Sequence, residues 1–384
     1  MLTLLPSATA LRRGFGLFAT ALTFAVLSIP GLAAADSAPG GTPREIAQAR
    51  QRGIDFLRTT QADDGSWTTT RSPGITGLVV TSLLQNGLAP DDPTVHKGLK
   101  HLESYIQKDG GVYAPQSSHR NYETCIAVLA FSAANREGRY TKQIAAAEKF
   151  LRKLQWDEDE GKERSDESYG GAGYGSHSRP DLSNTSFLIE ALKAAGVASD
   201  DPAMQKALIF VSRSQNLETE ANTTAFAARV NDGGFYYTPA AGGSSQAGTT
   251  DAGGLRSYAS MTYAGLKSMI YAGVGPEDPR VKAASDWIRR HYTVASNPGL
   301  DQQGLYYYLH TFAKALDALG VDAVEDQNGL KHDWRRDLAG QLLATQKANG
   351  SWVNEAPRWN EGDPNLVTAY ALLALSYCDS PKEK

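Results

Sequence analysis

The sequence predicts an all-α fold, an (α/α)6 barrel or toroid in which six amphipathic outer helices surround six apolar inner ones. Three observations predict it. A glycine turn headed by Gln recurs along the chain, amphipathic segments alternate with segments that are apolar on nearly every side, and one seven-residue connection occurs three times.

The first element is a processing signal. Of the 384 residues, Arg12 and Arg13 precede an apolar stretch over 15–32, and the small-residue run Ala33-Ala34-Ala35 follows. A basic start, an apolar middle and an Ala-x-Ala-like end read as a secretory signal over residues 1–35. Arg12-Arg13-Gly14-Phe15 also fits the twin-arginine export pattern. Gly14, Gly16, Pro30 and Gly31 interrupt the apolar run, which argues against a permanent membrane span. The expectation is an exported protein of the periplasm, cell envelope or exterior that meets the membrane only through this segment. Residues 36–46 are rich in Ser, Ala, Pro and Gly and read as a flexible leader. Residues 47–380 form the repeat domain, and 381–384 a tail.

Within that domain Gln61-x-x-x-Gly65-Ser66-Trp67 recurs as Gln346-x-x-x-Gly350-Ser351-Trp352. Looser copies are Gln107 to Tyr113, Tyr169-Gly170-Gly171 and Asp232-Gly233-Gly234-Phe235-Tyr236. Each follows an amphipathic segment. Ile144, Ala147, Leu151 and Leu154 make one apolar helical face, and Ala284, Trp287, Ile288 and His291 another.

After each turn comes a helix apolar on nearly every side, the mark of burial all round. These read 75–84, 124–134, 183–195, 260–272, 309–319 and 366–377. A threonine stands near each start: Thr76, Thr124, Thr185, Thr262, Thr311 and Thr368. The return connections Gly87 to Pro93, Gly196 to Pro202 and Gly273 to Pro279 share one grammar. Gly closes the inner helix, Asp caps the next outer helix and Pro takes its first turn, where no donor is needed. An open solenoid would keep a more regular period and polar capping repeats, so the ring is read as closed.

Composition narrows the function. A net charge of -4 with no basic block excludes a nucleic-acid partner. The two cysteines, Cys125 and Cys378, lie in apolar helical runs and read as buried free thiols. Asp157-Glu158-Asp159-Glu160 runs into Lys162, Glu163 and Arg164 and reads as a solvated loop.

The Gln-x-x-x-Gly-x-Trp copies resemble the QW repeats of squalene and terpene cyclases and of protein prenyltransferase β subunits, over about residues 47–378. The resemblance implies that Gln61, Trp67, Gln346 and Trp352 tie neighbouring repeats together, and that any chemistry lies where the inner helices start. Class II cyclases there carry Asp-x-Asp-Asp-Thr, whose middle Asp protonates the alkene. The matching stretch is Asp181-Leu182-Ser183-Asn184-Thr185. Ser183 stands at the proton donor and Asn184 at the next Asp. A hydroxyl is far too weak an acid for an isolated alkene, so protonation-type cyclisation is disfavoured. Prenyltransferases need a zinc site of Asp, Cys and His. His310-Thr311 resembles its end, but Arg256 and Tyr258 stand where Asp and Cys belong. No metal and no cofactor are expected. Two distant cysteines do not suit a lanthionine-type zinc site, and the Cys-Gly-Glu-Gln of thioester domains is absent. Glycoside hydrolases and lyases on the same barrel have no short motif and stay open.

A closed ring gathers at its mouth Tyr122 and Glu123, Asp181 with Ser183 and Asn184, and Arg256, Tyr258 and Ser260. Tyr306, Tyr307, Tyr308 and His310 follow, then Asp363 and Asn365. Aromatic walls with few polar groups suit an apolar polycyclic ligand or a stacked sugar. The candidate catalysts are Glu123 and Asp181 as an acid/base pair and His310 as base or relay. Against that stands helix capping by the carboxylates. Lys314, one turn after His310, reads as a polar contact between helices. Two readings result. One is a cyclase-like barrel that binds an apolar small molecule or an envelope protein. The other is an enzyme acting on a lipid-like or carbohydrate substrate through Glu123, Asp181 and His310.

Overall fold

The computed structural model describes residues 40–69, 71–175 and 178–378. The signal segment 1–35 and the tail 381–384 lie outside the described residues. In chain order the helices of the barrel are α1 (Pro43–Thr59), α2 (Gly74–Gln85), α3 (Pro93–Glu103), α4 (Arg120–Ala133), α5 (Thr141–Arg152) and α6 (Leu182–Ala194). They continue as α7 (Pro202–Arg213), α8 (Ala259–Tyr271), α9 (Pro279–Arg290), α10 (Leu305–Leu319), α11 (Trp334–Thr345) and α12 (Pro364–Leu375). Odd helices are outer and even helices inner. Each inner helix packs on the next, and α12 returns to α2, so the inner ring is closed. Two-residue strands β1 (Val324–Glu325) and β2 (Lys331–His332) make a small antiparallel hairpin before α11. No described helix is long and apolar enough to cross a membrane.

The repeat has a mechanical meaning at every step. Asp92, Asp201 and Asp278 accept from the free amides of Thr94, Ala203 and Arg280 at 2.8–2.9 Å, and a proline follows each. The turn glycines Gly65, Gly110, Gly170, Gly233 and Gly350 all have positive φ. Each turn abuts the carbonyl of the next outer helix, so a side chain there has nowhere to go. The side-chain amide of Gln155 donates to Gly170 O in its own turn and to Ala203 O on α7, both at 2.9 Å. Gln61 and Gln215 repeat this toward α3 and α9. Gln346 reaches α1 and joins the last unit to the first. Trp67 and Trp352 are fully buried and donate from Nε1 to the carbonyls of Leu57 and Leu342 on the helix before.

The inner-helix threonines complete the unit. Thr76, Thr124, Thr185, Thr262 and Thr368 each accept, through Oγ1, a backbone N–H of the preceding turn at 3.0–3.2 Å. Thr311 departs from this and bonds Tyr307 O instead. The α9–α10 connection lacks the Gln turn and is pinned by Asn297, which bonds Gln303 O and Ser260 N.

Asp157 and Glu158 of the acidic run pair with Lys206 at 2.8 and 2.6 Å. Cys125 and Cys378 are both buried, as expected. Two inner helices begin four residues before their predicted starts, α4 at Arg120 and α10 at Leu305. Tyr306, Tyr307 and Tyr308 are therefore the first turn of α10, and His310 belongs to its second.

Candidate functional site

The starts of all six inner helices border one chamber of about 870 Å³. Gly74 and Ile75 of α2, Tyr122 and Glu123 of α4, and Ser183 and Phe187 of α6 line it. Tyr258 leading into α8 with Ser260 and Met261, Gly304 and Tyr307 of α10, and Leu366 and Tyr370 of α12 close the circle. Tyr105, Tyr174, Tyr237 and Trp359 come from the connecting loops. Trp359 and Tyr174 stay 43% and 39% exposed at the rim.

Helix N-termini present free amides and a partial positive charge. At the starts of α4, α6, α8, α10 and α12 the protein itself supplies the acceptors. Asp181 caps α6 and Asp363 caps α12. Tyr174 O takes Asn121 N and Tyr122 N of α4, while Pro298 O and Asn297 Oδ1 take Ala259 N and Ser260 N of α8. The carboxylate of Glu361 reaches α10 from another unit and accepts from Tyr307 N at 2.7 Å and Tyr306 N at 3.2 Å. This replaces the side-chain cap that Gly304 cannot provide. Asn354 Nδ2 donates to the same carboxylate at 2.6 Å. Burial raises the Glu361 pKa, and these bonds oppose the rise.

The hydroxyls behave alike. Tyr307 pairs with Ser183 at 3.1 Å, and Tyr122 with Tyr370. Tyr174 pairs with Tyr237, which also bonds Asp181. Glu123 accepts from Ser72 Oγ at 2.7 Å and from Ala114 N at 3.0 Å. The ring faces, among them those of Phe187, Tyr307 and Tyr370, are left to form the wall.

Several expected site residues stand elsewhere. Asp181 is buried as the α6 cap, bonded to Asn184 N and Nδ2, and does not line the chamber. Burial pushes its carboxyl up to about 6, opposed by the bonds from Asn184 and Tyr237. Asn184 lies beside it, also buried. Arg256 turns to Thr249 O on its own loop and is exposed. Tyr306 is packed behind the wall, and Tyr308 donates to Thr293 O at 2.5 Å. Asn365 bonds Thr60 and Thr68 between units. His310 is 4% exposed, stacked on Tyr370 at 5.7 Å, and burial lowers its pKa to about 3. It lies past the chamber wall, a full turn deeper than its predicted place. Glu123, Asp181 and His310 are thus not gathered in one wall. Tyr122, Glu123, Ser183, Tyr258, Ser260 and Tyr307 do line the chamber.

Sequence reasoning missed Glu361, Phe187, Tyr237 and Tyr370. Phe187 and Tyr370 lie one turn beyond Ser183 and Leu366, so carrying the inward face one turn further finds them. Nothing local marks Glu361, whose partners are 54 and 55 residues away.

The family model of the squalene-hopene cyclase C-terminal domain matches residues 69–238. Among solved structures, the type II terpene cyclase MstE from Scytonema, in its apo form, is similar over 88% of this chain and 98% of its own, with a TM-score of 0.55 and 12% identity. An unsaturated glucuronyl hydrolase specific for heparin is similar over 88% and 97%, with the same TM-score and identity. A family 88 glycosyl hydrolase from Bacteroides vulgatus is similar over 88% and 99%, with a TM-score of 0.54 and 10% identity. No curated protein matches the chain. At these identities the likeness carries the fold, and the chemistry has to come from the chamber itself.

Proposed function

We propose that this chain, whose toroid is similar in fold to a type II terpene cyclase and part of which matches the squalene-hopene cyclase model, binds an apolar ligand of isoprenoid or polycyclic character without cyclising it. One observation carries this reading. The polar groups around the chamber are engaged with one another, while aromatic faces make the wall. Such a wall rewards apolar surface and gives little to a ligand that needs many new hydrogen bonds. A volume of about 870 Å³ falls within the range of sites for drug-sized molecules, roughly 300–1,000 Å³. A sugar would look for open donors and acceptors, and the exposed side chains of Arg71 and Gln116 are where the chamber offers them.

The absence of cyclisation follows from Ser183. It stands where the protonating carboxylate of the cyclases is expected, and its hydroxyl is paired with Tyr307. Asp181, the nearest carboxyl in the chain, serves α6 as its cap. The site of action we propose is outside the cytoplasm, on the strength of residues 1–35.

The test is mass spectrometry of organic extracts from the mature chain, purified from the envelope fraction of its native host, followed by squalene titration of stripped protein. A stoichiometric apolar molecule, or saturable squalene binding with squalene recovered unchanged, supports the reading. An empty protein that also ignores squalene sinks it and turns attention to a protein partner. Cyclised squalene overturns the binding-only role. N-terminal sequencing of the same material should begin close to Asp36, and an intact Met1 overturns export.

A further inference from the structure

One group of ionisable side chains lies deeper in the barrel than the chamber and takes no part in the proposed binding. It comprises Glu190 on α6, Lys267 on α8, and His310 and Lys314 on α10, each at least nine-tenths buried. Each sits about one to two turns beyond a chamber-lining residue of its own helix, namely Phe187, Met261 and Tyr307.

Lys267 Nζ donates to one oxygen of Glu190 at 2.7 Å, and Lys314 Nζ donates to the other. Two ammonium groups thus share one carboxylate, and among the described residues neither is paired with a second acid. Beside them, neither Nδ1 nor Nε2 of His310 has a hydrogen-bond partner. Buried polar atoms are nearly always partnered, so two orphans on one ring require an account.

A group with two cations and one anion carries an uncompensated charge, which is costly away from water. Two routes remove it: a lysine loses its proton, or an anion enters. Burial pushes Lys267 down to about 7 and Lys314 to about 8, which makes the first route accessible. That route, however, creates an amine lone pair next to a ring N–H, and neither nitrogen of His310 has such a partner. An anion accounts for the charge and for the ring's donor nitrogen, while the second nitrogen stays an unpaired acceptor facing apolar surroundings. It balances the charge, and it takes the proton donor of His310, which burial and the field of Lys267 keep neutral, with one N–H.

We propose that Lys267, Lys314 and His310 form an internal site for one small monovalent anion of chloride size, at the junction of α6, α8 and α10. Glu190 makes the site selective by charge. A divalent anion would overcompensate the single net positive charge, and a large one has no room among buried helices. Because the three helices meet there, the anion stabilises the ring itself and is independent of any ligand in the chamber.

The test uses the mature full chain. Thermal unfolding is followed in sodium chloride and in sodium methanesulfonate at equal ionic strength, and crystals are soaked in sodium bromide. The unfolding midpoint should rise with chloride concentration in the manner of a ligand that binds only the folded state. Lys267→Met should remove that dependence. An anomalous bromide peak should lie in contact with Lys267 Nζ and a ring nitrogen of His310. The wild-type bromide map decides, so poor folding of the variant does not matter. Absence of that peak, or bromide at surface sites alone, overturns the proposal and leaves a deprotonated lysine as the neutralising device.

Discussion

Gln346, the residue that follows the last outer helix, donates through its side-chain amide to Ala49 O on the first, at 2.9 Å, and to Gly350 O in its own turn at 2.9 Å. This pair of bonds joins residues almost 300 positions apart and closes the outer layer where the last repeat unit meets the first.

Loss of such a bridge weakens the ring in proportion to how dry it is. Gln155, which makes the same two bonds, is 2% exposed, whereas Gln346 is only half-buried. Gln155→Ala should cost about 2–3 kcal/mol and Gln346→Ala about 1 kcal/mol, since each hydrogen bond contributes ~1 kcal/mol net and a dry orphaned carbonyl adds more. Urea unfolding of the two variants checks the order. Equal losses would mean that the bridges act through something other than burial.

The turn glycines give a sharper contrast. Gly170 and Gly87 share a left-handed backbone, with φ of 81° and 94°. A Cβ on Gly170 would lie 1.8 Å from Lys206 O, while one on Gly87 meets nothing within 4 Å. Gly87→Ala should cost only the backbone strain, ~1–2 kcal/mol. Gly170→Ala must also push the turn off α7 and should cost at least twice as much. Denaturation midpoints of the pair decide whether close approach or φ alone selects glycine in these turns.

The same residues show why the fold was legible and the site less so. Gly170 and Asp201 carry their structural reason in short local patterns, as when Asp201 caps α7 from two positions before Ala203, whereas Gln155 closes its turn from 15 residues away and leaves no such pattern. The threonines were visible as a recurrence, although their task, accepting the turn amide, was not. The chamber depends on where each helix begins. For α10 that start is Leu305, because Glu361 from the following unit satisfies its first amides. The sequence around 305–311 holds no trace of that carboxylate. Placing the start at Leu309 therefore moved His310 up to the mouth and brought all three tyrosines into it. In the helix only Tyr307 lines the chamber, as a spacing of 3.6 residues per turn requires.

Asp181 gives a pH dependence whose sign is fixed by burial. Its folded pKa of about 6 lies above the ordinary carboxylate value of ~3.9, so the folded chain holds a proton that the unfolded chain releases. Its contribution to stability is fully present below about pH 4 and is lost as pH rises through about 6. The groups facing it are Asn184, Tyr237 and Arg179. Asp181→Asn should lack this component. The stability difference between wild type and variant should therefore shift by about 2–3 kcal/mol against the wild type between pH 4 and 7. Chemical unfolding at both pH values measures it, and a constant difference would show that the carboxyl ionises normally despite its burial.

The chamber wall allows the binding role to be separated into ring faces and hydroxyls at one position. Tyr370 stands between the chamber and His310, paired through its hydroxyl with Tyr122 and stacked on the imidazole. If the wall works through aromatic faces, Tyr370→Phe should bind squalene within about fivefold of wild type, because the ring stays and the lost hydroxyl bond is worth ~1 kcal/mol or less. Tyr370→Ala removes most of a large apolar surface and should weaken binding by tenfold or more, at about 25 cal/mol for each Å² of apolar surface that the ligand no longer covers. Squalene titration of the three proteins, each checked for an unchanged helical signal, separates the cases. Equal weakening by Phe and Ala would assign the work to the hydroxyl, and a polar, sugar-like ligand would then fit the chamber better than an apolar one.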